Sequence, residues 1–191
     1  MNNELTEQNI KDAWNRIVAS IADRGASNAF NPPASDEQIS TLESKLGMSL
    51  PHSLSAFLRC QNGCKDYSDQ LIVGTPFFST SGIEQEWSCN CEVDEGRPDS
   101  ENIELSELWW HKRCIPIAGS DGDCVCIDSK TNTIYSHNHG MGGLKGPNFP
   151  SLVEWLASLA DRLESGQGEI CLLYTSPSPR DQRGSRMPSS A

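Results

Sequence analysis

Positive charge is scarce in this chain: 15 Lys and Arg stand against 26 Asp and Glu in 191 residues, giving a formal net charge of −11. Nucleic-acid binding needs clustered Lys and Arg opposite phosphates, so this balance argues against it. Long apolar runs are missing as well, and no membrane-spanning helix fits; no membrane contact is expected. The N-terminal stretch MNNELTEQNIKDAWNRI lacks the basic-then-apolar layout of a secretory signal, so a cytoplasmic location is the default expectation. Phosphate-loop, dinucleotide, metalloprotease and paired-carboxylate patterns are also absent, so no motif points to a cofactor. What remains is 36% hydrophobic and 21% charged, a composition and length that suit one globular domain.

The last 21 residues depart from this character. Residues 171–191, CLLYTSPSPRDQRGSRMPSSA, carry three Arg, one Asp, three Pro and five Ser. Composition alone describes a disordered tail. The string also resembles the translated read-through of a transposase-type sequencing adapter. Its two fixed parts encode CLLYTSPSPRD and SRMPSSA, and Gln182-Arg183-Gly184 falls where the variable index belongs. Residues 171–191 are therefore expected to be an artefactual, disordered tail, and 1–170 the domain, with 12 basic and 25 acidic residues and a net charge of −13.

Hydrophobic spacing organises the domain. Ile10, Ala13, Trp14, Ile17, Val18 and Ile21 recur at helical intervals between Thr6 and Arg24. Ser35-x-x-Gln38 is a capping box for a second helix with Ile39, Leu42 and Leu46 inside and Gly47 as its left-handed stop. Pro51 suits the start of a third helix, with Leu54, Phe57 and Leu58 buried, and Asn62-Gly63 ends it. The period then changes. Leu71–Val73 and Ile115–Ala118 read as strands, while Cys124–Ile127 and Thr133–Tyr135 form a hairpin across Asp128–Asn132. Residues 88–107 read as an irregular, acidic surface loop, and Gly140–Gly146 as a mobile loop. Ser151-x-x-Glu154 is a second capping box, opening a helix with Leu152, Trp155, Leu156, Leu159 and Leu163 on its apolar side. Helices, then strands, then a helix make an α+β single domain.

Cysteine invites a metal reading. Cys60-x3-Cys64, Cys89-x-Cys91 and Cys124-x-Cys126 lie among His111, His137 and His139. Structural zinc favours two C-x2–4-C pairs on knuckle turns, whereas a strand puts Cys124 and Cys126 on one face as small packed residues. His137-x-His139 reads as a polar turn before Gly140 rather than a metal half-site. Cys114, beside His111, Lys112 and Arg113, is a candidate reactive thiol, set against the plainer reading of a buried strand residue.

Several segments together resemble the Smi1/Knr4 (SUKH) family. They are Trp14; Pro33-Ala34-Ser35 before Ile39, Leu42-Glu43 and Leu46-Gly47; Leu50-Pro51, Phe57-Leu58 and Asn62-Gly63; Trp109-Trp110, Ile115-Pro116-Ile117-Ala118, Asp121-Gly122-Asp123 and Ile127-Asp128; and Phe149 to Leu156. The similarity spans about 10–166, with a longer, more acidic insertion between Cys64 and Lys112. The resemblance implies a mixed β-sheet flanked by helices and a protein that binds proteins and performs no catalysis. Bacterial members of the family are similar to immunity proteins that block a toxin, often a nuclease; fungal members regulate cell-wall assembly. The resemblance therefore implies an immunity protein of a toxin–antitoxin system, with a cytoplasmic scaffold or regulator as the alternative and a thiol enzyme as the more distant one.

One stretch stands out as a candidate contact surface. Between Glu84 and Glu107 nine acids face a single Arg97. Glu92, Asp94, Glu95, Asp99, Glu101, Glu104 and Glu107 form its centre, and Trp109 and Trp110 follow directly. A toxin acting on nucleic acid presents a basic surface, and a concentrated negative field speeds encounter with it. An exposed Trp supplies the apolar anchor that charge lacks. If Trp109 and Trp110 lie on a strand, one points outward; the competing reading packs both against the long loop. The expected partner is a basic toxin domain.

Overall fold

The helical spacing near the N-terminus becomes α1 (Asn3–Ala22), which buries Ile10, Ala13, Trp14, Ile17 and Ile21 on one side. The computed structural model describes residues 3–23, 29–65, 76–94, 104–140 and 142–166. The expected strand Leu71–Val73 and the tail 171–191 lie outside those residues. In α2 (Asp36–Leu46) the capping box is complete: Ser35 Oγ accepts from the Gln38 N–H at 3.2 Å, and Gln38 Oε1 accepts from the Ser35 N–H at 2.9 Å. Two orphan donors of the first turn are thereby satisfied. Gly47 closes α2 in the left-handed region at φ 67°. Pro51 occupies the N-cap of α3 (His52–Leu58), and Asn62 beyond that helix accepts the Thr80 N–H on its side-chain oxygen at 2.7 Å.

The fourth helix corrects the sequence reading. Residues 88–93, expected in an acidic loop, belong to α4 (Thr80–Val93), capped by Ser79 Oγ accepting from the Gly82 N–H at 3.1 Å. Ile83, Trp87 and Cys91 fall four apart and pack against the core, so the helical period was present beneath the charge. Residues 95–103 lie outside the described set.

A short 3-10 turn, Leu105–Glu107, leads to the sheet. Strands β1 (Cys114–Ser120), β2 (Asp123–Asp128), β3 (Ile134–Asn138) and β4 (Gly143–Phe149) pair in sequence order. The α+β class holds. Where the resemblance implied a mixed sheet, every pair among the described strands is antiparallel, because each connection is too short for a crossover. Asp121 and Gly122 take positive φ, 54° and 85°, in the tight turn joining β1 to β2. Two further expectations fail here. Gly143–Phe149 is strand β4 rather than part of a mobile loop, its glycines and Pro147 having hidden the pattern. His137 lies inside β3, buried, rather than in a polar turn.

A register shift between Pro116 and Ala118 bends β1 where proline has no N–H to give. The outer edge of β1 is covered by residues 76–78: Phe78 donates to the Ile117 carbonyl and Gly119 to that of Pro76, both at 3.0 Å. An edge so paired offers no template for another strand.

Helix α5 (Leu152–Glu164) starts at Ser151, whose Oγ accepts from the Glu154 N–H at 3.2 Å, and packs along α1. Where α1, α3 and α5 converge, rings meet edge to face: Trp14 on Phe57 at 5.6 Å, Phe57 on Phe77 at 5.2 Å, and Phe77 on Trp155 at 5.8 Å. Such contacts add about 0.5–1.5 kcal/mol each beyond burial. Across the surface Arg16 pairs with Glu164 and Asp161, which raises the guanidinium pKa and lowers that of Glu164.

Candidate functional site

The structure brings the C-terminal end of α4 and the segment 104–112 together. Trp87 Nε1 donates to the Lys112 carbonyl at 2.8 Å, tying the helix to the chain after the tryptophans. Cys91 lies against the Trp110 side chain; burial raises the thiol's pKa and Trp110 opposes that rise. On this frame Glu92 is exposed in the last turn of α4, and Asp94 is the half-buried C-cap residue. Glu104 and Glu107 are exposed at the 3-10 turn. Glu95, Asp99 and Glu101 lie outside the described residues.

The two tryptophans separate. Neither lies on a strand, so their sides are set by packing rather than by alternation. Trp110 is 1% exposed and sits in the core, which removes it as a direct anchor for a partner. Trp109 is half-buried. Its backbone is pressed onto β4: the Leu144 N–H donates to the Leu108 carbonyl at 3.0 Å, and a Cβ on Gly143 would stand 2.3 Å from Trp109 Cα. Only glycine permits that approach.

A residue that sequence reasoning misplaced completes the arrangement. His137, 2% exposed, stands edge-on between Trp109 and Trp110 at ring distances of 4.8 and 5.1 Å. Its Nδ1 is 3.3 Å from the Gly122 carbonyl, and its Nε2 has no hydrogen-bond partner among the described residues. Burial lowers its pKa, and the Gly122 carbonyl works against that shift. His139, two residues on, is exposed, and its carbonyl accepts from Trp109 Nε1 at 3.5 Å. The alternation of β3 was the available signal: Tyr135 and His137 share a face.

The same sheet face carries thiols. Cys124 pairs in register with His137, and Cys126 with Tyr135. Cys114, Cys124 and Cys126 are buried. Burial pushes the Cys124 and Cys126 thiols well above their usual range, and Cys114 beside Cys126 adds to the rise there. Cys60 is also raised, chiefly by burial. Thiols shifted upward are poor nucleophiles and poor ligands. Among the described residues no group of three or more His, Cys, Asp and Glu side chains is placed to hold a metal ion.

Asp128, at the end of β2, caps the turn that follows and does more. Its Oδ1 accepts from the Lys130 N–H at 3.0 Å and its Oδ2 from Thr131 Oγ1 at 2.8 Å. Arg113 Nε stands 3.1 Å away as its ion-pair partner. With its side chain 1% exposed, Asp128 is a structural pin.

The candidate site thus consists of exposed carboxylates at the end of α4 and on the 3-10 turn, and a half-buried indole two residues past that turn, on a frame of helices packed against an antiparallel sheet, with no described helix long and apolar enough to cross a membrane. That is the build of an α+β domain. Residues 33–158 match the model of the SMI1 / KNR4 family (SUKH-1), and the chain belongs to that family. No curated protein matches the sequence significantly.

Proposed function

We propose that the chain is a non-catalytic protein-binding domain and, within that role, an immunity protein that neutralises a basic bacterial toxin such as a nuclease. The observation that supports this reading is that Glu92, in the last turn of α4, and Glu104 and Glu107, in the segment leading to half-buried Trp109, are all exposed. The carboxylates supply the field that draws in a basic surface, and the indole supplies apolar contact once it arrives. Membership in SMI1 / KNR4 is consistent with such a role. Burial of Cys114, Cys124 and Cys126 speaks against the thiol-enzyme alternative, since a catalytic thiol needs access and a stabilised thiolate.

Co-expression tests the reading. A toxin encoded beside this gene should arrest its host when produced alone, and growth should return when this chain is produced with it. Continued arrest in the presence of folded, abundant chain would overturn the immunity role and favour the scaffold or regulator alternative.

A further inference from the structure

The imidazole of His137 is an anomaly in an otherwise apolar position. Two indoles grip it from the sides, Leu144 lies opposite on β4, and Cys124 opposite on β2. The contact from Nδ1 to the Gly122 carbonyl fixes the proton on Nδ1, so Nε2 carries a buried lone pair with no donor among the described residues. A buried polar atom left unpaired costs stability, and a proton added to Nε2 would create a buried cation with no acceptor.

Few charged groups face the ring. From β2 comes Asp123, whose oxygens already accept from Asn138 Nδ2 at 2.9 Å and from the His139 N–H at 2.8 Å. From β3 itself comes the neighbouring His139, with its ring 6.5 Å away. The segment 109–110 presents indoles, β4 presents Leu144, and β2 otherwise presents the Cys124 thiol, which burial keeps protonated.

We propose that His137 is a pH-operated latch: neutral, it holds Trp109 against the sheet, and on gaining a proton at Nε2 it leaves its slot and releases Trp109 toward solvent. Trp110 stays, because it is buried on its far side against α4 and Cys91. The released form has a histidine of ordinary acidity, near pH 6.5, while the closed form resists protonation. Each pH unit below about 6.5 therefore shifts the balance toward the released form by up to roughly tenfold, until the closed form also titrates. The latch is independent of what Trp109 binds. On the immunity reading it means that partner affinity changes with acidity.

The test uses the full chain without any partner. Histidine ring resonances and the Trp109 indole N–H, assigned by comparison with His137→Phe and Trp109→Phe, are followed by NMR from pH 8 to 4.5. The latch predicts that His137 titrates below 6.5, that the Trp109 signal moves with the same midpoint, and that far-ultraviolet circular dichroism stays constant through it. In His137→Phe the Trp109 response should vanish, whereas in His139→Gln it should persist. If His137→Phe does not fold, His137→Asn keeps a donor for the Gly122 carbonyl and serves instead. If neither variant folds, assignment by triple-resonance spectra lets the native titration decide alone. A His137 midpoint at or above 6.5, a flat Trp109 signal, or a response that survives loss of His137 would overturn the proposal.

Discussion

The helical side of the core and the His137 end of the sheet are both buried, yet they are built from opposite materials. Where α1, α3 and α5 converge, Trp14, Phe57, Phe77 and Trp155 interlock through ring edges. At the sheet end the interior holds the Cys124 thiol and an imidazole with a nitrogen unpaired among the described residues, and the buried Asp128 carboxylate lies at the other end of β2. Apolar burial accumulates stability with no dependence on pH. Buried polar groups contribute less and make the region responsive to solution conditions. One region holds the fold, and the other is where conditions are felt.

Breaking the aromatic side should have the largest effect. Phe77 touches Trp14, Phe57 and Trp155 at once, and Phe77→Ala should cost about 3–5 kcal/mol, read as a lower urea midpoint with an unchanged slope. Next comes the pin in the sheet. Asp128→Ala removes the buried ion pair with Arg113 and takes the Asp128 acceptor from the Lys130 N–H and the Thr131 hydroxyl, a loss of about 2–4 kcal/mol by the same assay. An equal loss in an Arg113→Ala, Asp128→Ala double variant would place the two in one unit.

The pH response separates the regions further. Because burial lowers the His137 pKa in the folded chain, the unfolded chain binds more protons below about 6.5. Stability should therefore be at its plateau above pH 7, fall between about 6.5 and the lower folded pKa by up to about 1.4 kcal/mol per unit, and then level off. Urea midpoints at pH 7.5, 6.0 and 5.0 check this, and His137→Phe should flatten the difference. The smallest effect belongs to the surface. Arg16→Gln removes pairs that are open to solvent, and its midpoint shift should be minor and shrink with added salt.

The same contrast explains what could be read from the chain. Helices α1, α2, α3 and α5 announce themselves because one apolar face and a cap or stop residue agree, as at Ser35, Gly47 and Ser151. Helix α4 escaped because its inner face uses Ile83, Trp87, Asn90 and Cys91, a mixed set in which acids drew the eye. Strand β4 escaped because Gly143 is small for the sake of the Trp109 backbone, a reason that exists only in three dimensions. His137 reads as part of a turn because a histidine between polar residues carries no sign of the tryptophans that enclose it. Of the proposed contact surface, the charge was legible and the direction of each tryptophan was not. Segment 108–110 follows no regular alternation, and burial of Trp110 depends on α4.

The central proposal is that the exposed acids of α4 and the 3-10 turn draw in a basic partner that Trp109 then contacts. The measurement that tests it most directly is the association rate of this chain with a toxin that it suppresses in the co-expression test, taken across salt concentration, for the native protein and for Glu92→Gln, Glu104→Gln, Glu107→Gln combined. The account predicts a several-fold slower association in the combined variant, a matching slowdown of the native protein at high salt, and a weaker salt dependence in the variant. Association rate, affinity and salt dependence all unchanged by the substitutions would contradict it and assign binding to another face.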